Sequence, residues 1–448
     1  MDNHFIIVKD NNYNIVFHSD TGSIMIVDSN KSISFEQLNE QLSERKRISQ
    51  NRLMNEEEAL RHLIFNVSEL CNLKCRYCYA DEGKYGTNGL LMSESVANEA
   101  INSIFEHYKK GVKRVSFFGG EPLASFALIV FIVNKIREKC IEFNVKIPKY
   151  GTITNGTLID DKKADFIAEN FDSVTISIDG PKCVHDKVRI MKDGSGSYDK
   201  AINGLKLLKK RNVTVCASMV VNKNHINYCL ENNSNLTEMK NALYDLGFDY
   251  VSYGPVITED NTLKLEDEEK YVAIVRKDVA KEYEMLLNGS KRFSKQYYTI
   301  LKALVSKQYV DECNCGLCQV FVSAEGDYYP CHFFYNKHLE KIGGHGDLDI
   351  EQRVNVQKKY VRNSVDKCKE CYLKNYCSVW CPGSSESFGD KVGCVQEIAC
   401  KMLKVVFEET LKALVAAQRD PQKLSILVKS LKEYSQVTNN DFGVDVHD

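Results

Sequence analysis

Thirteen of the seventeen cysteines in this 448-residue chain fall into two groups, Cys71–Cys78 and Cys313–Cys400. The first, CNLKCRYC, places Cys71, Cys75 and Cys78 at C-x3-C-x2-C. A closed tetrahedral metal site takes four protein ligands, yet no Cys or His follows until His107. Three thiolates on a cubane [4Fe–4S] cluster leave one iron open, so the missing ligand reads as a reagent. The second group holds Cys368-x2-Cys371-x5-Cys377-x3-Cys381. Gly326-x4-Cys331 and the run CNCGLC (Cys313, Cys315, Cys318) precede it, and Cys394 and Cys400 follow. Clustering of this kind marks ligands. Cys140, Cys183, Cys216 and Cys229 stand singly among apolar or helical neighbours and read as packing residues.

The remaining composition narrows the field. An odd cysteine count in a long chain with no secretion-like start argues against a disulfide framework and for a reducing, cytoplasmic setting. A net charge of −2 gives no hint of nucleic acid. The longest apolar stretch, FALIVFIV (126–133), is far too short to span a bilayer.

These ligands need a scaffold, and the apolar rhythm supplies one. Strand-like runs recur at 63–68, 114–120, 150–156, 173–180, 213–221 and 249–256, with amphipathic helical segments between them, for example 93–108, 160–170 and 198–210. Six such units predict an α/β fold with a parallel sheet curled into a partial (β/α)6 barrel of TIM type, with chemistry at the C-terminal strand ends. Cys71 lies just past the first strand, on that mouth. Residues 264–308 read as helical, as does the tail after Pro421. At the front, 4–28 alternates into short strands about a DTGS turn, and SFEQLNEQLSE has the cap and spacing of a helix.

With Tyr77 before its last cysteine, the first loop resembles the hallmark of the radical S-adenosylmethionine (SAM) enzymes. The likeness continues in order: Gly119–Gly120–Glu121 after the second strand, TNG (154–156), SIDGP (177–181) and Arg189. It implies that Cys71, Cys75 and Cys78 hold the cluster that cleaves SAM to a 5′-deoxyadenosyl radical. It further implies that Tyr77, Gly119, Gly120, Glu121, Asn155, Ser177, Asp179 and Arg189 contact SAM. The second cysteine group resembles the SPASM extension of peptide-modifying members, which implies two auxiliary [4Fe–4S] clusters and so three in all. By the family's interleaving, one takes cysteines from Cys313, Cys315 and Cys318 with Cys331 and Cys381. The other takes Cys368, Cys371, Cys377 and either Cys394 or Cys400, with Cys400 preferred. A zinc ribbon would leave GDYYPC and the front cysteines unexplained.

Residues 1–60 resemble the winged-helix-like recognition element of maturases that cross-link cysteine-containing peptides, where a leader adds as a strand; a cap on the barrel bottom is the plainer alternative. The expected organisation is therefore 1–60 leader recognition, 61–260 radical SAM core, 261–312 helical bridge, 313–405 SPASM domain and 406–448 C-terminal helices. The expected activity is thioether formation between a cysteine sulfur and a carbon of a ribosomal precursor peptide, of sactipeptide or ranthipeptide type. An external flavodoxin- or ferredoxin-type donor would supply electrons. The rivals are formylglycine formation, as in sulfatase maturation, and a non-catalytic metal-binding or electron-transfer module.

Overall fold

The computed structural model describes residues 5–10, 13–30, 34–43, 59–258, 260–265, 268–310, 313, 315–388 and 397–439. Three antiparallel strands, β1 (Phe5–Asp10), β2 (Tyr13–His18) and β3 (Ser23–Asp28), form a meander in that order, followed by the helix Phe35–Ser43. Alternation in β1 and β2 buries Ile6, Val8, Ile15 and Phe17. Phe17 meets Tyr376 and Phe407 edge-on, at centroid distances of 5.3 and 5.0 Å. The meander thus rests on the helix Glu397–Gln418 and the segment around Tyr376, not on the barrel bottom.

Next come the parallel strands β4 (Leu60–Ser68), β5 (Val112–Gly119), β6 (Lys149–Thr154), β7 (Ser173–Ser177), β8 (Val215–Val221) and β9 (Tyr250–Pro255). Most of their residues are buried, which is why these strands read as near-continuous apolar runs. Helices return the chain between strands, among them Glu94–His107, Phe126–Glu142, Asp161–Asn170 and Tyr198–Lys209. Their starts follow from local chemistry: the Ser93 hydroxyl accepts from the Val96 N–H at 3.2 Å, and Asp160 accepts from the Lys163 N–H at 2.8 Å. Ala97, Ala100, Ile101 and Ile104 give the first of these helices its buried stripe.

The sheet is larger than the six expected strands. β10 (Gln319–Val322) lies parallel to β4, and β11 (Tyr328–Tyr329) pairs antiparallel with β10. The full order is β11-β10-β4-β5-β6-β7-β8-β9. The sheet therefore runs across the boundary that the cysteine motifs suggest near residue 313. Four residues beside a cysteine cluster carry no readable period, and their pairing with β4 is a long-range contact.

A second apolar core joins the helices Glu268–Leu287, Lys295–Ser306, Glu397–Gln418 and Pro421–Asn439 to β8 and β9. Cys140, Cys216 and Cys229 are buried in packing roles. Cys183 differs: the short helix Lys182–His185 turns it outward, so it is exposed. Among the described residues, no helix is long and apolar enough to cross a membrane.

Candidate active site

The loop after β4 carries Cys71, Cys75 and Cys78, and main-chain bonds pin it across the mouth of the sheet. Lys74 N–H donates to the Ile190 carbonyl at 2.8 Å and Arg76 N–H to the Val188 carbonyl at 3.0 Å. Asn155 reaches over from the end of β6, donating to Asn72 Oδ1 at 2.8 Å and toward Cys71 Sγ at 3.9 Å. All three thiols border one cavity of about 330 Å³. Tyr77, Gly119, Gly120, Asn155, Ser177 and Arg189 border it too.

Glu121 and Asp179 stand behind that surface. The Glu121 carboxylate is fully buried and accepts from Thr154 Oγ1 at 2.6 Å, Asn155 N–H at 2.8 Å and Leu123 N–H at 3.0 Å. Burial pushes its pKa up, and the three donors pull it part of the way back. Its side chain holds the Gly-Gly-Glu turn to the end of β6. Asp179 is likewise fully buried, accepting from Tyr77 OH, from Arg189 Nε at 3.0 Å and from Val220 N–H at 2.9 Å. Burial, the largest single influence, would raise its pKa; the Arg189 guanidinium, His185, His225 and the Tyr77 hydroxyl together outweigh it and hold the carboxyl below its ordinary value. Arg189 also lies over the Tyr77 ring, 5.4 Å from its centroid.

The glycines are sterically required. Gly119 has φ +143°, and a Cβ there would come within 2.2 Å of the Ser68 carbonyl oxygen. At Gly120 it would meet the Leu70 carbonyl at 2.7 Å and Gly83 Cα at 3.0 Å. Since that neighbour is rigid backbone, Gly120→Ala must displace the loop holding the thiols. We expect the variant to fold, to bind SAM at least about tenfold more weakly by equilibrium dialysis, and to lose SAM cleavage in parallel.

The donor chemistry fits an iron–sulfur group. Burial pushes the Cys71 thiol up to about 11 and the Cys75 thiol to about 12, so a bound cation is what would stabilise their thiolates. Among the described residues, no three Cys, His, Asp or Glu side chains lie close enough to ligate one ion. A cubane makes no such demand, because each thiolate binds a different iron.

The later cysteines separate into two neighbourhoods. Cys315 hydrogen-bonds with Cys313 and also feels Cys331 and Cys318. A Cβ on Gly383 would stand 3.0 Å from Cys331 Sγ, while Ser384 N–H donates to Cys381 Sγ at 3.3 Å. The start of the helix Pro382–Phe388 thus brings Cys381 beside Cys331. Cys400, pushed up to about 12 by burial and then by Cys377 and Cys368, belongs with Cys368, Cys371 and Cys377. Cys394 lies outside the described residues. Cys381 also borders the main cavity.

Two positions escaped the sequence reading. Glu69 is fully buried and accepts from Tyr335 OH, Thr87 Oγ1 at 2.5 Å and Leu90 N–H at 3.0 Å. It ties the loop ahead of Cys71 to the turn after Cys331; an acidic residue closing an apolar strand, as in NVSELC, was the available signal. Trp380, the chain's single tryptophan, borders the cavity. Its place before Cys381 was legible, but not its share in the cavity wall.

The radical SAM superfamily model matches residues 65–232, from β4 to the helix Lys223–Glu231. A cysteine-type anaerobic sulfatase-maturating enzyme of Clostridium perfringens is 26% identical over 380 residues, covering 79% of this chain and 96% of that protein. The radical SAM cyclopropyl synthase TigE of Paramaledivibacter caminithermalis is 24% identical, covering 79% of this chain and 75% of that protein. The solved structure of native anSMEcpe with bound AdoMet and Kp18Cys peptide matches the fold with a TM-score of 0.67 and 24% identity, over 81% of this chain and 99% of that one. A thiol trio on the mouth of a parallel sheet and the matching family model agree: residues 65–232 match the radical SAM superfamily, and the chain is similar to the anaerobic sulfatase-maturating enzymes, whose fold it shares.

Proposed function

We propose that the chain modifies a cysteine-containing peptide, forming a thioether between the cysteine sulfur and a carbon of another residue. The observation that carries this reading is a single cavity bordered both by Cys71, Cys75 and Cys78 and by Cys381. Substrate held there has both the proposed SAM site and a cysteine of an auxiliary ligand set on the walls around it. Bound at the loop thiols, a [4Fe–4S] cluster and SAM supply a radical able to take hydrogen from carbon. The protein's own part is to orient and enclose. Asn155 and the 188–190 strip fix the thiol loop; Gly119 and Gly120 admit a ligand against the backbone; the Asp179–Arg189 pair sets the ring of Tyr77. In this reading Cys313, Cys315, Cys318, Cys331 and Cys381 supply one auxiliary cluster, and Cys368, Cys371, Cys377 and Cys400 the other. Residues 1–60, whose described part includes a three-stranded meander and the helix Phe35–Ser43, recognise the leader. An external flavodoxin- or ferredoxin-type protein is the reductant.

One observation favours a second reading. The Clostridium perfringens relative is a cysteine-type sulfatase-maturating enzyme, and formylglycine formation begins from the same kind of residue. Anaerobic incubation of the reconstituted enzyme with SAM, reductant and a cysteine-bearing peptide separates the two by mass. We expect loss of two hydrogens with sulfur retained. Loss of the sulfur would replace the cross-link with formylglycine.

A further inference from the structure

Each auxiliary cysteine set has a buried arginine on its loop. Arg353, in the helix Ile350–Lys359, donates to the carbonyls of Gly316 and Leu317, at 2.5 and 2.7 Å, between Cys315 and Cys318. Arg362, in the single turn Arg362–Ser364 that follows, is 3% exposed and serves the other set. Its guanidinium donates to the Lys374 carbonyl and, at 3.1 Å, to the carbonyl of Cys377. Short turns carry the chain between these ends: Cys371 N–H donates to the Cys368 carbonyl at 3.1 Å, and Lys374 N–H to the Cys371 carbonyl at 3.0 Å. Arg362 therefore closes the loop that presents Cys368, Cys371 and Cys377.

Its charge reaches the thiols as well as the carbonyls. Burial pushes the Cys377 thiol up, and Arg362 is the largest influence pulling it back; at Cys368 it likewise opposes burial and the neighbouring thiols. A second cation beside them, Lys367, has a side chain 56% exposed and paired with Glu397 at 2.6 Å, so water and the carboxylate screen it. A buried guanidinium is screened far less. A cubane on four thiolates is an anion, and an added electron makes it more negative, so the charge beside it bears on its potential. Resting on the reading that Cys368, Cys371, Cys377 and Cys400 hold an auxiliary cluster, we propose that Arg362 is a positioning residue that also sets that cluster's potential. Its fixed positive charge favours the reduced state and holds the midpoint potential up, while its two bonds keep the ligand loop in place.

The test is an anaerobic redox titration of the reconstituted full-length enzyme, followed by electron paramagnetic resonance, with iron counted on the same samples. The signal of this cluster is the one lost, with about four irons, in Cys371→Ala. Arg362→Gln keeps an amide donor and removes the charge. It should shift this cluster's equilibrium toward the oxidised state at least about tenfold, about 59 mV for a one-electron couple. The other auxiliary signal should stay in place. Arg362→Lys keeps the charge on a different frame and should stay within about threefold of the native equilibrium. If Arg362→Gln loses the cluster instead, Arg362→Lys should retain it. Two substitutions that behave alike, in potential or in iron, overturn the inference, because the bonds alone would then matter. An unchanged potential in fully loaded Arg362→Gln does so too, as does an equal shift of both auxiliary signals. Native enzyme holding only about four irons would sink the auxiliary clusters themselves, and the role of Arg362 with them. No peptide enters these measurements, so a formylglycine product would leave the inference standing.

Discussion

Cys75→Ala is expected to bring anaerobic SAM cleavage down to background while the chain stays folded. The loop does not depend on the thiol for its path, because Lys74 and Arg76 on either side are fixed by main-chain bonds to Ile190 and Val188. What the variant loses is one of three donors on a group that has no fourth protein ligand in the loop. The same outcome is expected for Cys71 and Cys78. Iron per chain should fall from about twelve, for three cubanes, to about eight. The measurements are 5′-deoxyadenosine by chromatography and iron by colorimetry on oxygen-protected protein. SAM cleavage that survives alanine at all three positions, or zinc found in place of iron, would remove the basis of the proposed function.

Lys240→Met is expected to destabilise the fold by roughly 3–5 kcal/mol, the usual cost of stranding buried carboxylates. Lys240 in the helix Leu236–Asp245 is 1% exposed and pairs with Asp278 at 2.7 Å and with Glu282, both in the helix Glu268–Leu287. Asp278 also accepts from Thr237 at 2.6 Å, Tyr253 at 3.0 Å and Tyr297 at 2.8 Å, while Glu282 accepts from the Ser294 N–H and hydroxyl, each at 2.8 Å. One cation therefore faces two carboxylates. Burial raises Glu282 despite the attraction of Lys240. A carboxyl raised in the folded state contributes stability below its unfolded value near 4.5 and loses it as pH climbs through the folded value. Without the lysine that folded value rises further, so the deficit of Lys240→Met should widen from pH 5 to pH 8. Apparent unfolding temperatures across that range check it. A deficit independent of pH would mean that only packing was lost.

Much of this was legible in the residues. The six parallel strands and most of their helices follow from apolar runs bounded by Gly, Asn and Asp, and boundaries agree to within a few residues: the run at 173–180 ends as a strand at Ser177, and that at 63–68 begins at Leu60. The resemblance to the radical SAM turns placed Glu121 and Asp179 at the site, but not the inward turn of their side chains, which depends on the donors Thr154, Asn155 and Arg189 that arrive from other strands and turns. Cys183 looked like a packing residue because its neighbours in sequence are apolar or helical; a single helical turn was enough to face it outward. β10 and β11 were hidden for a different reason. Their sequence, QVFVSAEGDYY, serves a cysteine motif and a sheet edge at once, and only the motif has a spacing to read.

That shared edge has a bearing on synthesis. As the ribosome extends the chain, β4 (Leu60–Ser68) acquires β5 on one flank early, yet its other flank stays bare until Gln319–Val322 emerges. Throughout that interval a buried-type strand exposes unsatisfied amide and carbonyl groups, a template for mispairing. A fragment ending before residue 319 should accordingly aggregate instead of behaving as a free-standing catalytic half, and the nascent enzyme should lean on a holdase until its last strands dock.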